Sequence, residues 1–238
     1  MRYELTFKLK ENHIDLEYRK IIMSFFKSAL TDHEGGKYFD LFYGHKDIKN
    51  FTFGVFFNKP KFNKDTIELV QNDFKVLIST SDKKMGLALF NSALNRKYIP
   101  FKLSGGNEMQ FVNAVIKKEK TIDSTSRIFK ICSPICVREH VRERNKDYYH
   151  SIESAEFIKR LKEIIKNQLK NQIDLSAGDM QIVPIDCRKT VIKHNGIYIE
   201  STIGKIAINA DEIVLNEIYK NGIGSRKSSG FGLLEVID

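Results

Sequence analysis

The chain has only three cysteines, Cys132, Cys136 and Cys187, an odd number with no Cys-x-x-Cys pair. That scarcity argues against both a disulfide framework and a tight thiolate clip. Cys132, Cys136 and His140 recur every four residues, but a closed zinc site wants a fourth ligand and usually two tight pairs. On a strand the three would simply share a face. No metal and no cofactor is expected. Also missing is any apolar run long enough to cross a membrane. Residues 2–9 alternate polar and apolar as a strand does, unlike a signal peptide, so the expectation is a cytoplasmic protein with no membrane partner. Acidic side chains are in deficit, 30 Asp and Glu against 39 Lys and Arg, which leaves a net charge of +9. Such a balance favours a polyanionic partner, most simply nucleic acid.

What is present suffices for one large or two small domains, since 42% of the 238 residues are hydrophobic. Most of the 17 Phe and 9 Tyr must be core, and the remainder offer stacking faces. The periodicity predicts a strand over residues 2–9, helices over 16–30 and 38–43, strands over 51–57 and 74–80, a helix over 84–94 and a strand over 110–117. This order, strand–helix–strand–strand–helix–strand, is the split βαβ or ferredoxin-like arrangement. A rougher copy follows. It has a strand over 129–137 broken at Ser133-Pro134, a charged loop or hairpin over 138–147 and an amphipathic helix over 153–173. Strands over 182–193 and 197–203 flank the His194-Asn195-Gly196 turn, and a helix over 211–220 precedes a final strand. The fold class is therefore α+β, with tandem ferredoxin-like domains over residues 1–120 and 121–238.

The last helix runs into Asn221-Gly222-Ile223-Gly224-Ser225-Arg226-Lys227-Ser228-Ser229-Gly230-Phe231-Gly232, in which four glycines frame a basic, hydroxyl-rich insert. A nucleotide P-loop needs Gly before its Lys-Ser and a helix after it; here Arg226 precedes Lys227-Ser228 and no helix follows. A dinucleotide fingerprint wants Gly where Lys227 stands. A plain turn before a terminal strand competes with a loop that grips phosphate through backbone, Arg226, Lys227 and the serines Ser225, Ser228 and Ser229. The gripping loop fits best, with Gly222, Gly224, Gly230, Phe231 and Gly232 shaping it. Arg138, Arg142 and Arg144 form a second basic cluster that fits phosphate and guanine edges, or else is a solvated hairpin.

The loop Gly222-Ile-Gly-(x)5-Gly230-Phe-Gly232 and its preceding helix resemble the glycine-rich signature of the CRISPR repeat-processing endoribonucleases, the sixth Cas protein family. Phe129 with Ser133-Pro134-Ile135 resembles the segment that opens that family's second domain, and Asn50-Phe51-Thr52-Phe53 resembles its second strand. The resemblance implies metal-independent cutting of precursor RNA within repeats. The 2′-hydroxyl attacks the adjacent phosphate, leaving a 2′,3′-cyclic phosphate and a 5′-hydroxyl. It implies repeat RNA as partner, with other subunits of a CRISPR complex and a second copy of the chain as further candidates. It also places a catalytic His near the end of the first domain's helical segment, helped by Tyr and Lys. Two histidines lie there: His45, near Tyr43 and Lys49, and, as the alternate, His33 near Tyr38. A non-catalytic RNA-binding subunit of the same fold is the competing class. A generic RNA-binding module is disfavoured, because no Lys/Arg-Gly-Phe-x-Phe run is present.

Overall fold

The computed structural model describes residues 1–43, 49–170 and 180–237. Strand β1 (Arg2–Leu9) places Tyr3, Leu5, Phe7 and Leu9 on one buried face, as its alternation requires. A short strand β2 (His13–Asp15) leads into helix α1 (Tyr18–Asp32), which buries Ile22, Phe25, Phe26, Ala29 and Leu30. Helix α2 (Lys37–Tyr43), strand β3 (Phe51–Phe57) and the small strands β4 (Lys61–Phe62) and β5 (Thr66–Glu68) follow. Strand β6 (Asp73–Thr80), helix α3 (Lys83–Asn95) and strands β7 (Phe101–Lys102) and β8 (Glu108–Ile116) come next. Asp82 caps α3 by accepting from the Met85 amide at 3.0 Å, satisfying a donor the helix leaves open. The first sheet has the order β3-β6-β1-β8-β7. Under it Phe7 meets Phe25 edge-on at 5.0 Å and stacks on Phe74 at 5.4 Å. Burial of each such ring contributes roughly 2 kcal/mol.

The second sheet is built the same way. Strand β9 (Ser126–Ile131) is followed by the hairpin β10 (Val137–Val141) and β11 (Lys146–His150), then helix α4 (Phe157–Leu169). Strands β12 (Gln181–His194) and β13 (Ile197–Asn209), helix α5 (Glu212–Asn221) and strand β14 (Leu234–Ile237) complete it. Its order, β12-β13-β9-β14, repeats the spatial order β3-β6-β1-β8 of the first sheet. Two ferredoxin-like units therefore stand in tandem. Phe157, Leu161, Ile165 and Leu169 make the buried stripe of α4, at the four-residue spacing of one helix face.

Several expected boundaries move. The charged segment expected over 138–147 is a hairpin, β10–β11, which runs from Val137 to His150 and turns through Arg142–Arg144. The helix expected from residue 153 starts at Phe157, because the Ser154 hydroxyl accepts from the Glu156 amide and holds a turn. Strand β13 continues past residue 203 to Asn209, and opposite it β12 carries a bulge between Pro184 and Asp186. The three-stranded sheet β2-β5-β4 was not expected, its strands being two or three residues long. Among the described residues no helix is long and apolar enough to cross a membrane.

Candidate nucleic-acid interface

The glycine loop lies between the two sheets. Gly232 has φ of 74°, and a Cβ there would fall 1.8 Å from the Ile223 carbonyl oxygen. Gly230 has φ of 84°, and its Cβ would fall 2.7 Å from the Phe53 ring on β3. Only glycine fits such backbone. The close approach these glycines permit is thus to the chain itself, where the sequence suggested approach to a ligand. Gly222, Gly224 and Phe231 are buried as well. The first unit's side chains reach the loop's carbonyls: Thr52 Oγ1 donates to Phe231 O at 2.8 Å and Arg19 Nε to Gly230 O at 3.1 Å.

The loop's polar side chains divide. Lys227 is 6% exposed, and burial pushes its ammonium down to about 8, with the Glu217 charge working the other way. The expectation of an open phosphate contact does not match that setting, since a buried cation faces protein rather than solvent. Ser228 and Ser229 are half-buried. Ser225 is tied to the hairpin, its amide donating to Cys136 O at 2.7 Å and its hydroxyl accepting from the Arg138 amide at 3.4 Å. Arg226 donates from Nη2 to the Tyr149 hydroxyl at 2.7 Å and lies 3.7 Å from Asp147. Arg138 Nη1 approaches the same carboxylate at 3.4 Å, whereas Arg142 and Arg144 stand exposed in the hairpin turn. The three arginines expected as one cluster are therefore split between strand and turn.

The candidate catalytic residues form two groups. His33 stacks on Tyr38 at 5.8 Å; its Nδ1 is 2.6 Å from Asn95 Nδ2 and its Nε2 is 3.6 Å from Glu34. Tyr43 lies under two ammonium groups, Lys49 Nζ at 4.6 Å and Lys27 Nζ at 5.2 Å from its ring centre. Its hydroxyl is buried without a hydrogen-bond partner among the described residues, and burial pushes its pKa up to about 12. His45 lies outside the described residues. Cys136 is buried, its thiol pushed up to about 12 by desolvation against the charges of Arg226 and Arg138. Among the described residues no group of three or more His, Cys, Asp and Glu is arranged to hold a metal ion.

One feature leaves only a faint signal in the sequence. A cleft of about 520 Å³ opens between α1 and β3 on one side and the β12–β13 hairpin on the other. Tyr18, Arg19, Phe62, Lys64, Lys193 and Tyr198 line it, and none of its described lining residues is acidic. Phe62 and Tyr198 are 63% and 70% exposed, unusual for large aromatic rings. Arg19, 6% exposed, is held between the Tyr18 and Phe231 rings at 4.6 and 5.1 Å, so Lys64 and Lys193 are the cations the cleft presents to solvent. Beside it His194 is buried, with Nδ1 unpartnered among the described residues, and its pKa is lowered by desolvation and by the charges of Arg226 and Arg19. Cations interleaved with exposed rings suit a single-stranded polyanion that also has π faces. The signal lay in the pairing of Lys193 with Tyr198 across the Asn195-Gly196 turn.

The family model described as CRISPR associated protein Cas6, C-terminal, matches residues 117–236, just over half of the chain. Comparison with curated proteins gives no match. Among solved structures, one described as an RAMP protein binding different RNA substrates superposes with a TM-score of 0.86 at 20% identity, covering 100% of both chains. A Cas6-related protein from Pyrococcus furiosus gives 0.85 at 20% identity, covering 100% of this chain and 98% of its own. A CRISPR associated protein Cas6 gives 0.80 at 18%, covering 100% and 99%.

Proposed function

Because the chain belongs to the Cas6 family of CRISPR associated proteins, we propose that it binds CRISPR repeat RNA and cuts it without metal. The observation that carries this reading is the cleft of cations and exposed rings, with no acidic residue among its described lining, in a chain of that family. In this reading residues 1–120 supply the chemistry and residues 121–238 hold most of the RNA. The 2′-oxygen attacks the neighbouring phosphorus, the bond from phosphorus to the 5′-oxygen breaks, and a 2′,3′-cyclic phosphate and a 5′-hydroxyl result. One proton leaves the 2′-hydroxyl and one reaches the 5′-oxygen, so the step balances without water.

A histidine suits the first proton, its pKa lying near neutrality; His45 is the leading candidate and His33 the alternate. Tyr43, pushed up to about 12, stays protonated at neutral pH and therefore acts as a donor rather than a base. The Lys49 ammonium beside it would stabilise negative charge on the phosphorane. A binding role without cleavage is the second reading, favoured by the engagement of His33 with Asn95, Glu34 and Tyr38.

Incubation with repeat RNA in EDTA distinguishes the two. Discrete cleavage is expected, and replacing the 2′-hydroxyl at the cut site by hydrogen should abolish it with binding retained. In the same assay His45→Ala should slow cutting by about a hundredfold or more. A shift in mobility without cleavage establishes the binding role, and activity restored only by magnesium overturns the metal-free step.

A further inference from the structure

Asp147, on β11, is surrounded by groups that bind anions. His140 Nδ1 is 2.8 Å from its carboxylate, Arg138 Nη1 and the Tyr149 hydroxyl are each 3.4 Å away, and Arg226 Nη2 is 3.7 Å away. Strands β10 and β11 and the glycine loop supply these groups. In the hairpin register His140 pairs with Asp147 and Arg138 with Tyr149, while Arg226 arrives from the glycine loop. Partial burial opposes ionisation of Asp147, yet the His140 hydrogen bond and the charges of Arg138, His140 and Arg226 hold its carboxyl below the ordinary range. The cluster is open to solvent, with Arg138 and His140 side chains 41% and 40% exposed.

A carboxylate and a phosphodiester share the features this cluster recognises: one negative charge and two acceptor oxygens on one centre. The fit of guanidinium groups to phosphate is as good as their fit to carboxylate. We propose that Arg138, His140, Tyr149 and Arg226 form a phosphate subsite for an RNA backbone, with Asp147 as a built-in occupant that the RNA displaces. The subsite rests on the RNA-binding reading above. Its occupant sets a threshold: a polyanion must hold several other contacts at once before it can evict a tethered carboxylate. Short anions are thereby refused, and only a chain that engages the rest of the surface gains the two arginines.

Asp147→Asn keeps the shape and removes the charge. In fluorescence anisotropy with repeat RNA, the full-length variant should bind about fivefold more tightly than the parent. Its slope of log affinity against log salt should steepen by about 0.7, the value of one phosphate contact to a single strand. Adding Arg226→Ala should erase the gain. Unchanged or weaker binding by a folded Asp147→Asn would make Asp147 a mere brace for the arginines and overturn the proposal. Asp147→Ser serves the same test where the amide variant fails to fold. Calorimetry with tripolyphosphate separates the two readings. If neither protein binds RNA, the RNA reading falls, while tighter tripolyphosphate binding by the variant sustains the anion subsite. Equal tripolyphosphate binding in that case removes the subsite too.

Discussion

Lys227 holds a charge against its surroundings, and the cost can be read from pH. Burial brings its ammonium from an ordinary 10.5 to about 8, despite Glu217. The unfolded chain keeps that proton up to about 10.5. Between pH 8 and 10.5 the unfolded state therefore binds more protons, and stability rises with pH. Below pH 8 both states are protonated and the whole penalty, roughly 3 kcal/mol, is present. Lys227→Met should accordingly melt higher than the parent at pH 7, with the advantage shrinking as pH climbs from 8 towards 10.5. A gap between the melting curves that ignores pH would contradict the assignment of this charge to the interior. Arg226, one residue away, has its guanidinium on Tyr149 and Asp147 at the surface. Adjacent basic residues thus have different tasks, a difference that "Arg-Lys" in the sequence does not carry.

At the scale of elements, the glycine loop is a packing device between sheets. Gly230→Val would drive a branched side chain into Phe53, in a conformation with positive φ that such residues avoid. A loss of stability of about 3 kcal/mol is expected, visible as a lower denaturation midpoint. A midpoint equal to the parent's would show that the loop and β3 separate freely. The helices and long strands of both units were legible, because Tyr3, Leu5, Phe7 and Leu9 alternate while Ile22, Phe25, Phe26 and Leu30 keep helical spacing. The strands β2, β4 and β5 were not, being too short to display a period. In sequence the loop resembles a ligand cradle, because positive φ and close approach look the same whether the neighbour is phosphate or peptide. Resemblance alone points to His45, which lies outside the described residues.

On the scale of the molecule, the cleft joins side chains that sequence distance hides, with Phe62 and Lys64 facing Lys193 and Tyr198. The two kinds of lining residue make separable contributions. Lys64→Ala and Lys193→Ala should each weaken RNA binding and flatten the salt slope by about 0.7. Phe62→Ala and Tyr198→Ala should each cost about 1–3 kcal/mol of affinity while leaving the slope as it was. Titrations of the four variants from low to high salt check both. Affinity unchanged in all four would take RNA out of the cleft.

Arg2 gives the joined units a property in time. Its Nη2 donates to Leu234 O at 2.9 Å and pairs with Glu235 at 2.7 Å, and its guanidinium covers the Tyr219 ring at 4.6 Å. These partners lie more than two hundred residues along the chain from it, so closing the clasp costs a long loop's entropy and is expected late in folding. Removing it with Arg2→Ala should therefore raise the unfolding rate more than it lowers the folding rate, which stopped-flow denaturation checks. On that expectation the clasp does less to hasten assembly than to lengthen the lifetime of the assembled pair. A guanidinium buried between the first strand and the last acts as a brake on opening.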